Sequence, residues 1–198
     1  MEKPWLTEDN TVVELRDGRT FALSREKLGL RVFLVVVMVV FSLMMAAYIE
    51  RKVFSDWHSV PLPWLLWLNT VILVFSSLAM HRAWISARRT EIDGVRVWLY
   101  AGGFFALVFL IGQLLAWWEL VASGYYAAVD PANAFFFMLT ALHGVHLIGG
   151  LVAWWRTMAK VTRGCGVVLV RISVELCTVY WHFLLLIWLA LFALMLFT

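Results

Sequence analysis

Five long, uninterrupted apolar runs dominate this sequence and leave few folds open to it. They lie at residues 29 to 49, 64 to 87, 97 to 122, 133 to 158 and 170 to 197. A helix needs roughly 20 mostly apolar residues to cross about 30 Å of hydrocarbon, so each run is long enough to span a bilayer. The separators are polar or helix-breaking: Glu50-Arg51-Lys52 with Pro61 and Pro63, Arg88-Arg89-Thr90-Glu91, Asp130-Pro131, and Arg163-Gly164-Cys165-Gly166. A transmembrane barrel would instead alternate apolar and polar residues in segments of about ten. The expected fold is all-α, a polytopic membrane protein built as a bundle of five transmembrane helices.

Composition leads to the same class. Of 198 residues, 63% are hydrophobic and 15% charged, whereas a soluble domain is about half apolar and roughly a quarter charged. A core this small could not hide the excess, so lipid must be the solvent for most of the chain. The net charge of +3 sits in short basic clusters between apolar runs, which argues against a nucleic-acid partner. Cys165 falls in a loop and Cys177 within the last run; they are not placed to pair, and both read as reduced structural residues.

The chain divides into a polar tail, 1–28, and a five-helix membrane domain, 29–198. No cleaved signal peptide is expected, because the tail lacks an apolar core segment. Residues 11 to 21 alternate around Asp17-Gly18, which suggests a small hairpin on the membrane surface. Lys and Arg counts set the orientation, since cytoplasmic loops hold the excess. The tail and the second and fourth loops carry 14 of these residues, and the other side carries Arg51 and Lys52 alone. The N-terminus is therefore expected in the cytoplasm and the C-terminus in the periplasm.

Ionisable groups inside the spans are costly and become candidates for function. They are Glu119, His143, His146, Glu175 and His182, with His81 near the inner end of the second span. Counting from Arg156 and Arg171 puts His146 and His182 level, about 15 Å deep. His143 shares a face with His146, as Glu175 does with His182, so His143, His146, Glu175 and His182 suggest a polar seam between spans four and five. Two facing imidazoles at His146 and His182 are compatible with a b-type haem. His143, His146 and Glu175 suggest a metal site or a proton path. The structural alternative, interhelical hydrogen bonding, carries more weight: a His-x-x-His pair alone is a weak metal signal, and no carboxylate sits within a turn of it. Arg171 and Glu175 are spaced for an ion pair at the membrane edge, and Glu119 for an interfacial carboxylate or a proton or lipid-headgroup site. Gly144, Gly149 and Gly150 read as a close-packing surface. Most of the 12 tryptophans fall near span ends, as an aromatic belt would. Trp181 and Trp188 instead share a face inside the last span, suited to packing on a helix or an acyl chain.

Four segments carry a family resemblance. They are Leu68-Asn69-Thr70 with Ser76-Ser77; Gln113 with Trp117, Glu119 and Gly124; Phe136 through His146, which contains His143-Gly144-Val145-His146; and Glu175 with Tyr180-Trp181-His182-Phe183 and Trp188. In this order and spacing they resemble the third subunit of haem-copper respiratory oxidases, typified by cytochrome c oxidase subunit III, in a shorter form lacking the first two of seven spans. The resemblance covers roughly residues 28 to 198. It implies an accessory subunit in a bacterial inner membrane, with no cofactor, metal or catalytic residue of its own. Haem and copper would belong to the partner catalytic subunit I, with subunit II and membrane lipids as further partners and bound phospholipid expected. Such a subunit supports stability and proton uptake. Asn69, Thr70, Gln113, Gly144, Tyr180, Trp181 and Trp188 are its motif residues here. Two positions depart from the pattern: Val37 stands where many relatives carry a buried glutamate, and Leu185 where they commonly carry aspartate. Both make proton conduction by this chain itself less expected. The parent complex is left open among a cytochrome c oxidase, a quinol oxidase and a nitric oxide reductase.

Overall fold

A computed structural model of the chain describes residues 9–55, 57–58, 63–128, 130–164 and 166–197, with side chains from residue 25 onward. Five helices run in order: α1 Asp9–Arg51, α2 Leu65–Arg88, α3 Ile92–Ala122, α4 Pro131–Thr162 and α5 Val167–Leu196. Each contains a stretch long and apolar enough to cross a membrane, the first of them Arg25–Arg51. No strand occurs among the described residues. The chain is the all-helical, five-span protein that the apolar runs imply.

Two local expectations are corrected. Residues 11–21 are helical, within α1, and form no hairpin. A lone two-stranded hairpin is marginal in water, whereas a nucleated helix extends at low cost. The helices also overrun the apolar segments, α3 beginning at Ile92 and α4 continuing to Thr162. Backbone hydrogen bonding does not need apolar side chains, and Arg96, Arg156 and Lys160 continue the helix where long cations reach water.

Residues 1–37 and 38–198 form separate compact units. In the first, residues 9–37 are helical throughout. In the second, α2 packs on α3 and α5 while α4 packs on α3 and α5, closing an up-down-up-down ring of four helices. Beyond Met38, α1 touches α4 through rings: Phe41 lies 5.4 Å from His146, and Tyr48 lies 5.8 Å from Phe135. Cys177 is buried and reduced, and Cys165 lies outside the described residues.

The helix ends are set by local chemistry. Asp130 is extended and caps α4, its Oδ1 accepting from the Ala132 N–H at 2.8 Å, with Pro131 in the first turn. Its Oδ2 accepts from His58 Nδ1 at 2.8 Å, tying the α1–α2 connection to the start of α4. At the end of α3, Gly124 takes φ 88°. There the Tyr125 N–H reaches Leu120 O and the Gly124 N–H reaches Val121 O, both at 3.0 Å, a closure that favours glycine.

Close helix contacts rest on small residues. A Cβ at Gly102 would meet Met80 Sδ at 2.7 Å, one at Gly103 would collide with the Trp154 ring, and one at Gly150 would meet Tyr180 Cε1 at 2.8 Å. At Gly144 and Gly149 nothing approaches nearer than 4.0 Å, so of the three α4 glycines Gly150 alone is a close-packing position. Outside the ring, Leu107, Ile111, Leu114, Leu186 and Leu189 are exposed, the face a bundle presents to acyl chains rather than to water.

Gly150→Ala is expected to destabilise the bundle by about 1–3 kcal/mol through overpacking. Gly144→Ala should be neutral or stabilising by up to about 1 kcal/mol through helix propensity. Thermal unfolding in detergent micelles distinguishes the two.

Candidate functional site

The interior polar contacts start from α5. Trp181 and Trp188 are both 1% exposed and turn the same face of the helix inward. An indole buried in hydrocarbon needs an acceptor for its N–H. Trp181 Nε1 donates to Ser76 Oγ at 2.9 Å, and Ser76 Oγ donates onward to Gly102 O at 2.7 Å. Trp188 Nε1 donates to Thr70 Oγ1 at 3.0 Å, whose hydroxyl donates to Leu66 O at 2.8 Å. Thr178 Oγ1 adds a bond to Met80 O at 3.1 Å. Between the two tryptophan choices, helix or lipid, the structure selects a helix, α2.

Similar bonds join the other neighbours. Trp117 Nε1 donates to Thr140 Oγ1 at 3.0 Å and Trp154 Nε1 to Leu99 O at 2.8 Å, linking α3 and α4. Tyr180 OH donates to His146 O at 2.8 Å, and Lys160 Nζ to Ser173 Oγ at 2.8 Å, linking α4 and α5.

The four seam residues lie along α4 and α5. Tyr180 against Gly150, and Trp188 against His143, fix the antiparallel α4–α5 register that brings the helices of His146 and His182 side by side. The two histidines nevertheless face different neighbours. His182 shares its Nδ1 with Ser77 Oγ at 2.6 Å, and its Nε2 lies 3.4 Å from His81 Nδ1. His146 Nδ1 donates to Leu142 O at 2.7 Å on its own helix, with its ring against Phe41. The reason is rotational: successive residues point about 100° apart around a helix, so once Trp181 turns inward His182 turns toward α2. These engagements do not favour a haem held between the two imidazoles. Glu175 lines a surface groove with Arg171, Ile172 and Thr90, again on the side of the α2–α3 connection. Glu119 is exposed near the end of α3. His143 is fully buried, its ring 5.8 Å from Phe109 and 5.1 Å from Trp188. Among the described residues, no group of three or more His, Cys, Asp or Glu could hold a metal ion.

The motif residues converge on this interior. Asn69, Gln113, Tyr180, Trp181 and Trp188 are buried, Thr70 bonds to Trp188, and Gly144 lies next to His143. Thr178 on α5 is a participant that residue-type reasoning passes over, while Ser76 and Ser77 enter the sequence reading only through the family resemblance. The signal on α2 is the pair of hydroxyls at Thr70 and Ser76, spaced about two turns apart like the indoles Trp188 and Trp181 that they receive.

Fold and interior together define a polytopic helical membrane protein whose polar side chains are turned toward one another across a four-helix ring. No protein-family model matches the chain. Cytochrome c oxidase subunit 3 of Thermostichus vulcanus is 28% identical over 173 residues, 85% of each chain. The protein of the same name from a Synechocystis strain is 28% identical over 172 residues, 84% of this chain and 72% of that one. Cytochrome bo(3) ubiquinol oxidase subunit 3 of Buchnera aphidicola is 24% identical over 197 residues, 93% of each. The chain is a homologue of oxidase third subunits across most of its length, at modest identity.

Thr70→Val keeps the side-chain shape but leaves the Trp188 N–H without an acceptor. It is expected to cost about 1–3 kcal/mol. Adding Trp188→Phe should recover part of that loss, since no donor is then orphaned; a double-mutant cycle followed by unfolding in micelles measures the coupling.

Proposed function

We propose that this chain is the accessory third subunit of a haem-copper terminal oxidase, packed beside catalytic subunit I and in contact with subunit II in a bacterial inner membrane. It supports the stability and proton uptake of the complex and carries no redox centre of its own. The observation that carries this reading is collinear similarity to oxidase third subunits over 85% and 93% of the chain. The interior agrees with it: the buried indoles and hydroxyls are spent on holding helices together.

The names of the relatives favour an oxidase over a nitric oxide reductase. They include both a cytochrome c oxidase and a ubiquinol oxidase, so the electron donor is a property of the catalytic chain. The tail, residues 1–28, is assigned to the cytoplasm and the C-terminus to the periplasm on the 14-to-2 distribution of Lys and Arg. Phospholipid is the further ligand, its headgroup held at the inner rim. Ile85, Arg88 and Arg89 line a shallow pocket there, and the Arg88 guanidinium lies 5.0 Å over the Trp84 ring. Glu119, Arg171 and Glu175 are assigned to the membrane–water interface, and His143, His146 and His182 to structural roles.

Purification through a tag on this chain should bring down a much larger membrane chain with haem absorption, while the chain expressed alone should be colourless. A reduced-minus-oxidised haem band from the isolated chain would refute the assignment, as would a native preparation lacking any larger haem protein. In a Cys165→Ser background, Ser123→Cys should react with an impermeant maleimide from the periplasmic side. Thr162→Cys should react after permeabilisation.

A further inference from the structure

Asn69 on α2, Gln113 on α3 and His143 on α4 are 0%, 4% and 0% exposed. The amide oxygen and nitrogen of Asn69 and Gln113 and both ring nitrogens of His143 lack hydrogen-bond partners. The three residues occupy one level of the bundle. The Asn69 amide oxygen lies against Gly112, the neighbour of Gln113. Gln113 stands one turn beyond Phe109, whose ring meets His143 edge-on. The His143 ring is 5.1 Å from Trp188, and the Trp188 indole donates to Thr70, next to Asn69. These contacts close a circuit through α2, α3, α4 and α5.

Polar groups buried without partners are destabilising, and native interiors retain few of them. In hydrocarbon the penalty is larger, because no solvent can stand in for the missing partner. The neighbouring polar atoms in the circuit are already engaged. The Trp188 N–H is given to Thr70, and the Thr70 hydroxyl accepts that bond while donating to Leu66 O. Phe109 and Gly112 bring no polar side-chain atom. What remains is two carboxamides and an imidazole, each with both a donor and an acceptor to satisfy. A ligand that can donate two bonds and accept two matches such a set. The residues of the circuit include no acidic side chain, so a bare cation there would be buried without compensating charge.

We propose that Asn69, Gln113 and His143 form an internal water-binding site, in which buried water bridges α2, α3 and α4 at the level of Trp188. The site belongs to this chain's own bundle and does not rest on the oxidase assignment. It gives a physical role to three residues that form no direct helix-to-helix hydrogen bond.

The test is a structure of the full chain at a resolution that shows ordered solvent, in a lipidic mesophase or within its native complex. The expected result is density within hydrogen-bond distance of at least two of the three side chains. Side chains that bond directly to one another or to backbone, with no density between them, would overturn the proposal, as would density of a cation with short oxygen contacts. A second measurement is the unfolding midpoint of Asn69→Leu, His143→Phe and the double variant. A shared water predicts a double-variant shift clearly smaller than the sum of the single shifts. Additive shifts would mean that the two residues have no common ligand, and would overturn it equally.

Discussion

A polar atom inside a bilayer has no solvent to fall back on, and the arrangement of this bundle follows from that requirement. The indole N–H groups of Trp181 and Trp188 reach hydroxyls on α2, and those hydroxyls pass the bond on to the backbone oxygens of Gly102 and Leu66. Each relay ends on a carbonyl, which has a second lone pair to accept with. The hydrophobic effect cannot choose among helix rotations here, because lipid is as apolar as the helix faces. The relays and the glycine contacts at Gly102, Gly103 and Gly150 can choose, and they do so with bonds and volumes that fit one rotation of each helix.

This division explains what is legible in the sequence. The five spans are plain, because hydrocarbon thickness imposes length and apolarity on every crossing segment. Rotation is not legible from hydropathy, since apolar residues surround these helices on every side. Of the residues expected along one seam, His182 bonds to Ser77 of α2 and His146 to Leu142 O of its own helix, a choice of azimuth that counting along a helix does not give. The tryptophan partners are hidden for a related reason: Trp181 and Trp188 are expected to pack on a helix or an acyl chain, and they pack on a helix, but which one is not readable from the sequence. Indoles serve equally as interfacial anchors and as buried donors, and the hydroxyl that receives the bond lies about a hundred residues away on another helix. The tail misleads differently: a short alternating stretch around Asp17-Gly18 carries too little apolar surface to hold two strands together, and the backbone continues as helix.

Many of the motif residues behind the oxidase resemblance sit in the interior, while Glu119 and Val145 are exposed. Trp181, Trp188, Thr70 and Tyr180 bond helix to helix within that interior. The chain's similarity to oxidase third subunits extends over 85% to 93% of its length at 24–28% identity.

The Thr70 hydroxyl has a consequence for biogenesis. Spans enter the membrane in chain order, so α2 waits in lipid for α5, which carries Trp188. During that interval Thr70 is protected by its bond to Leu66 O, four residues back on its own helix. The hydroxyl hydrogen is thus satisfied locally, while the oxygen lone pairs stay open for the indole. Assembly can end with the last segment closing the ring like a keystone, and a nascent chain stopped before α5 leaves α2 sheltered but unlatched.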